Sequence, residues 1–196
     1  IVRRLIMDSL RYWVEEMHVD GFRFDLASVL SRGEDNEPLS DPPILWDIDT
    51  DPVLAGTKII AEAWDAAGLY QVGSFAGDRW AVWNGRFRDT VRRFVKGDDG
   101  TVRDLADAIG GSPNVFGDPD RDPMRSVNFV DAHDGFTLTD LTRYDHKHNE
   151  ANGEGNRDGA DENRSYNHGV EDRTDDVATQ LDRRKSMRNV LGTLLV

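Results

Sequence analysis

Three short apolar runs in this chain each end in an acid. Val19–Asp20–Gly21–Phe22–Arg23–Phe24 ends at Asp25, Thr57–Lys58–Ile59–Ile60–Ala61 leads into Glu62, and Phe129–Val130–Asp131–Ala132 leads through His133 to Asp134. Glu62 follows Asp25 by 37 positions and Asp134 follows Glu62 by 72, which suits one βα unit and then two. Carboxylates at the C-terminal ends of parallel strands meet on one face of an α/β barrel, the face that does chemistry. Cleaving a glycosidic bond with retention needs one ionised nucleophile and one protonated acid about 5–5.5 Å apart. Asp25 suits the nucleophile, because Arg23, two positions earlier, points to the same face and would hold it ionised. Glu62 suits the acid, with Trp64 nearby to desolvate it. Asp134, beside His133, would bind sugar hydroxyls and favour an oxocarbenium-like transition state. One strand-terminal acid alone reads as a solvated loop cap. Three in this order, with Arg23 and His133 in place, read as a site.

The elements needed to position these groups are visible as periodicities. Val2, Leu5, Ile6, Leu10, Trp13, Val14 and Met17 predict an amphipathic helix over 1–18 with Trp13 on its core face, followed by a strand at Gly21–Asp25. Residues 31–43, with Pro38, Pro42 and Pro43, form a surface loop, and Ile44–Leu54 a short acid-rich helix with Pro52 near a helix start. A strand follows at 57–61 and a short strand or extended turn at 80–85, then a helix over Arg86–Lys96 ending at Gly97. Thr101 with Asp104 predicts a capping box opening a helix that closes at Gly110–Gly111. Residues 126–130 form the next strand, residues 145–176 a long polar loop, and a helix runs from about Val177 to the end. The order αβ, αβ, βα, βα predicts an α/β fold, a partial (β/α)8 TIM barrel. Both ends are apolar or already helical, so the expectation is one partial barrel domain over 1–196, truncated at both ends and able to self-associate through open sheet edges.

Composition removes several function classes. Lys and Arg total 24 against 37 Asp and Glu, a net charge of −13, which argues against nucleic-acid and anionic-membrane partners. A neutral glucan meets no such objection. There is no apolar run long enough to span a membrane and no leader pattern. With no Cys there are no disulfides, and a cytoplasmic location is expected.

Beyond the three acid-terminated runs, Asp51–Pro52–Val53–Leu54–Ala55–Gly56–Thr57–Lys58, the stretch Ala63–Trp64–Asp65–Ala66–Ala67–Gly68–Leu69–Tyr70–Gln71–Val72–Gly73 and His148–Asn149–Glu150–Ala151–Asn152–Gly153–Glu154 extend the pattern over nearly the whole chain. The sequence resembles the α-amylase superfamily, and within it the bacterial glycogen debranching and isoamylase group. The resemblance implies strands four to seven of the barrel, with Asp25, Glu62 and Asp134 as the catalytic acids and Arg23 and His133 as their companions. It also implies hydrolysis of α-1,6 branch linkages in glycogen or limit dextrin by double displacement, with Trp64, Tyr70, Trp83 and Asn84 lining glucan subsites. An earlier strand bearing an Asp and an Asn-His pair belongs to the family pattern and has no counterpart here. Two alternatives stay open: another α-glucan hydrolase or glucan-acting transferase of the same superfamily, or, for this piece alone, a non-catalytic glucan-binding module.

Weaker constellations weigh less. Glu154–Gly159 begins like a calcium loop, but Ser165 stands where a bidentate Glu is needed; calcium occurs in relatives, so it stays open as a weak alternative to no cofactor. His146 and His148 have metal-like spacing without a scaffold, and no metal centre is expected. Asn163–Arg164–Ser165 fits a glycosylation sequon.

Overall fold

The structure is a computed structural model that describes residues 1–77, 79–117 and 122–196. Its elements are α1 (Val2–Glu15), β1 (Gly21–Phe24), α2 (Pro43–Thr50), β2 (Lys58–Ala61), β3 (Ala81–Trp83), α3 (Gly85–Lys96), α4 (Val102–Ile109), α5 (Pro113–Phe116), β4 (Ser126–Val127) and α6 (Val177–Leu194). The four strands form one parallel sheet in chain order, β1-β2-β3-β4. Consecutive parallel neighbours are the arrangement of adjacent strands in a (β/α)8 barrel. The chain divides into two compact units: Ile1–Asn84 with Asn114–Val127, and Gly85–Pro113 with Asn128–Val196.

The first unit holds the whole sheet. β1 pairs with β2 from Gly21↔Lys58 to Phe24↔Ala61. A Cβ on Gly21 would run into the Lys58 carbonyl, so the close approach at the start of this pair requires glycine. On β2 Ile59 and Ala61 are buried, while Lys58 is exposed, the alternation of a strand with one packed face. Trp80 is fully buried at the centre, its ring 4.9 Å from Phe24 and 5.2 Å from Phe75. Arginines staple the loops around it. Arg79 donates to the carbonyls of Asp49, Leu54 and Thr57, and Arg125 to those of Trp80 and Gly77.

Three local expectations need correction. On α1 only Met7 and Leu10 are buried, and Trp13 is 46% exposed, so it does not lie on a core face. Ile6 and Val14 pack partly buried against the same core, while Val2, Leu5 and Met17 of the expected stripe are exposed. Pro52 follows α2 instead of starting a helix; the proline at the helix start is Pro43. The strand expected at 126–130 is paired only over Ser126–Val127.

In the second unit α3 packs on α4 and α6, around a core of Phe87, Val91, Ala108, Val130 and Val190. The capping box at α4 does not form, because Thr101 turns its hydroxyl to donate to the Asp98 carbonyl. Of the expected apolar face of α6, Val190 is buried while Leu191 is 42% exposed. The 145–176 segment contains one 3-10 turn, Glu150–Asn152, and is organised by side chains. Glu171 accepts from the Asp145 amide, His148 and Asn167. Burial pushes the Glu171 carboxyl up, but those donors outweigh it and hold the group at about 2. His148 Nε2 thus joins the hydrogen-bond network that organises this segment. Asn163, the sequon asparagine, is buried, accepting from the Phe136 amide and donating to the Ala160 carbonyl, a structural role within the fold.

Candidate active site

Parallel pairing in register brings Phe24 level with Ala61, so the residues that follow, Asp25 and Glu62, leave neighbouring strands side by side. A carboxylate oxygen of Asp25 and one of Glu62 lie within 4.8 Å of each other. Arg23 spans the two: its Nη1 donates to Asp25 Oδ1 at 2.7 Å, and its Nη2 forms an ion pair with Glu62 Oε1. The guanidinium lies over the Trp83 ring, 4.5 Å from its centroid, which uses the aromatic face to fix the plane of the fork. The planar fork of arginine suits this bridging, which a point-charged lysine could not reproduce.

The two carboxyls have opposite surroundings. The Asp25 side chain is 59% exposed and that of Glu62 fully buried. The other Glu62 oxygen, Oε2, accepts from the Leu26 amide at 3.1 Å. The main chain locks the same corner, with Glu62 N donating to the Phe24 carbonyl and Ala27 N donating to the Glu62 carbonyl. Leu26 achieves this with a φ of +43°, a left-handed conformation that costs a side-chain-bearing residue on the order of 1 kcal/mol. That strain sits next to the exposed acid and aims an amide at the buried one, as backbone outliers at functional sites commonly do.

Trp64 and Tyr70 come together beside this corner of the sequence. Their rings stack with an interplanar angle of 12° at 6.1 Å, and their backbones form an isolated antiparallel bridge. The turn between them is built on Asp65, which accepts from the amides of Ala67 and Leu69 and from Arg32 Nε at 2.6 Å. The Arg32 bond, with help from those amides and against burial, holds the Asp65 carboxyl down to about 2. Tyr70 is 45% exposed, and the stacked pair presents a flat aromatic surface. Asn84 is fully buried and its amide donates to Ser126 Oγ at 3.0 Å, tying β3 to β4. The Arg32–Asp65 pair and Leu26 were not singled out in the sequence. Asp65 two positions before Ala67 carries an Asx-turn signature that could have found it, whereas nothing in a leucine advertises a positive φ.

His133 and Asp134 belong to the second unit, where His133 Nε2 lies 3.2 Å from Asp134 Oδ1. Their loop is anchored on both sides. Ala160 N donates to the Asp134 carbonyl, and a Cβ on Gly135 would stand 2.5 Å from Asn163 Oδ1, so only glycine fits there. Arg92, buried, donates through Nε to the Val130 carbonyl and through Nη1 to that of Asn163. Burial, reinforced by Arg88, draws the Arg92 guanidinium down to about 10, with Asp131 opposing.

The chain is 53% identical over its full length to isoamylase 3, chloroplastic, of Oryza sativa subsp. japonica, of which it spans 25%. It is 53% identical over 98% of its length to a glycogen operon protein GlgX homolog of Mycobacterium tuberculosis, spanning 27% of that protein. By sequence this chain is similar to isoamylases and glycogen debranching enzymes. No protein-family model matches it. A solved pullulanase of Anoxybacillus sp. LM18-11, crystallised with maltotetraose, superposes on 98% of the chain and 33% of its own at a TM-score of 0.53 and 25% identity. The chain thus spans about a quarter of the curated relatives it matches and has the α/β fold of part of a (β/α)8 barrel. Among the described residues no helix is long and apolar enough to cross a membrane.

Proposed function

We propose that this chain supplies the reacting carboxylates of an α-glucan debranching hydrolase that cleaves α-1,6 branch linkages of glycogen or limit dextrin with retention. The observation that carries the reading is the Asp25–Glu62 pair, with oxygens within 4.8 Å and Arg23 across both. Oxygens that close are compatible with the carboxyl separation of about 5–5.5 Å of retaining pairs, in which one carboxylate attacks directly. Asp25, exposed and oriented by Arg23, attacks the anomeric carbon and forms a glycosyl ester as Glu62 protonates the departing O6. Glu62 then takes a proton from water, which hydrolyses the ester. The acid role requires one Glu62 contact, to Arg23 or to the Leu26 amide, to give way to a proton. Asp134 with His133 binds sugar hydroxyls, and the Trp64–Tyr70 stack offers its face to glucose rings. The chemistry uses side chains alone and calls for no cofactor. Support for the substrate class comes from the names of the isoamylase and glycogen debranching relatives and from the maltotetraose bound by the pullulanase.

One observation favours a second reading for the chain by itself. Glu62 is sealed and held by two donors, a state that does not favour proton transfer and leaves glucan contact to the exposed Asp25 and the aromatic pair. Titration calorimetry with maltoheptaose, run beside a reducing-sugar assay on limit dextrin, separates the two. Heat with release of short linear chains supports the hydrolase, heat alone supports the binding module, and neither contradicts both.

A further inference from the structure

We infer that the second unit carries an anion site for the phosphate group of a sugar phosphate, distinct in composition from the carboxylate pair. A groove of about 350 Å³ is lined by Arg143, Arg173, Arg183 and Arg184, with Thr174 and a single carboxylate, Asp175. Four guanidiniums gathered in one groove stand out in a chain of net charge −13. Their existing engagements leave them underused. Arg183 is 7% exposed and gives its terminal nitrogens to the carbonyls of Asp172, Asn167 and Val170, while its buried Nε–H has no acceptor. A buried donor in that state is stabilised by any acceptor that reaches it. Arg184 reaches the Gln180 amide oxygen at 3.5 Å, and Arg143 engages the neutral Tyr144, its guanidinium 6.0 Å from the ring centroid. Among the described residues no carboxylate lies within ion-pair distance of Arg143, Arg173 or Arg184; Asp172, which accepts from the Tyr144 hydroxyl at 2.6 Å, attracts Arg143 and Arg173 only from farther off. The N-terminus of α6 is already capped by Asp176, so the site stands on the arginines and not on the helix dipole.

The chemistry selects the ligand. Guanidinium forks bind tetrahedral oxyanions through paired N–H donors, and several together favour a dianion over a carboxylate. The groove is at the small end of organic-ligand sites and leaves room beside the phosphate for one sugar ring. The test is calorimetric titration of the chain with glucose 6-phosphate, inorganic phosphate and glucose, at two ionic strengths. The expected result is saturable binding of the ester, weakened at least about fivefold in R173A/R184A and unchanged in R157A, which removes an exposed arginine elsewhere. Both replaced groove residues are exposed, and circular dichroism of the double variant confirms that it folds. Equal affinity for inorganic phosphate assigns the site to the phosphate group alone and overturns the sugar-phosphate assignment. Equal weakening in R157A, or no saturable binding of either anion, overturns the site itself.

Discussion

At the scale of single residues, the two acids of the pair do different physical work. Glu62 is buried and receives an arginine and an amide, so removing it strands Arg23 and the Leu26 N–H beside a cavity. Glu62→Ala is expected to cost about 3 kcal/mol of stability, the range for breaking a buried ion pair. Asp25 is mostly exposed, and Asp25→Asn, which keeps the shape, should change stability by less than about 1 kcal/mol. Urea denaturation of both variants measures the contrast. Equal losses would show that the burial difference has no energetic weight. The acids themselves are legible in the sequence because each ends an apolar run, and a strand end is where a barrel presents its chemistry. The sealing of Glu62 is not legible, since it depends on a left-handed Leu26 that no composition rule marks.

Elements were readable where their own residues decide them. β1 and β2 appear as apolar runs and pair in the register that sets Asp25 beside Glu62. Elements decided by neighbours were not. The apolar stripe of α1 is plain in the sequence, yet Trp13 is half exposed, because amphipathicity states which face prefers burial and not what covers it. The capping box failed for a local reason, the competing Asp98 carbonyl that Thr101 prefers. Buried Arg92 and Arg183 escaped notice because arginine is ordinarily a surface residue, and their carbonyl partners, Val130 and residues of the 145–176 segment, come together only in the folded chain. The sheet offers a direct test of register. Gly21→Ala drives a methyl into the Lys58 carbonyl and should cost about 1–3 kcal/mol, the range for overpacking. Thermal denaturation detects it; an unchanged midpoint would mean that the β1–β2 approach is looser than described.

On the scale of the molecule, acid stability should follow the two carboxyls held at about 2, Asp65 in the first unit and Glu171 in the second. Both lie below their ordinary values near 4. The folded state therefore binds fewer protons than the unfolded one between about pH 4 and 2, and stability falls as pH drops through that window. Above it their contribution is fully present. Denaturation midpoints at pH 5, 4, 3 and 2.5 should decline most steeply below 4, and Asp65→Asn should flatten part of the decline. A profile that Asp65→Asn leaves untouched would remove the Arg32 pair from the account. The central claim is that Asp25 is the nucleophile of a retaining pair. Its most direct test places this chain in the matching segment of the Erwinia tasmaniensis glycogen debranching enzyme, to which it is 49% identical. The chimera is treated with a 2-deoxy-2-fluoro maltosyl fluoride and mapped by peptide mass spectrometry. The account predicts one fluoroglycosyl ester, on Asp25, absent in Asp25→Asn and still formed in Asp134→Asn; an ester on any other residue, or an Asp25→Asn chimera that labels and debranches normally, would contradict it.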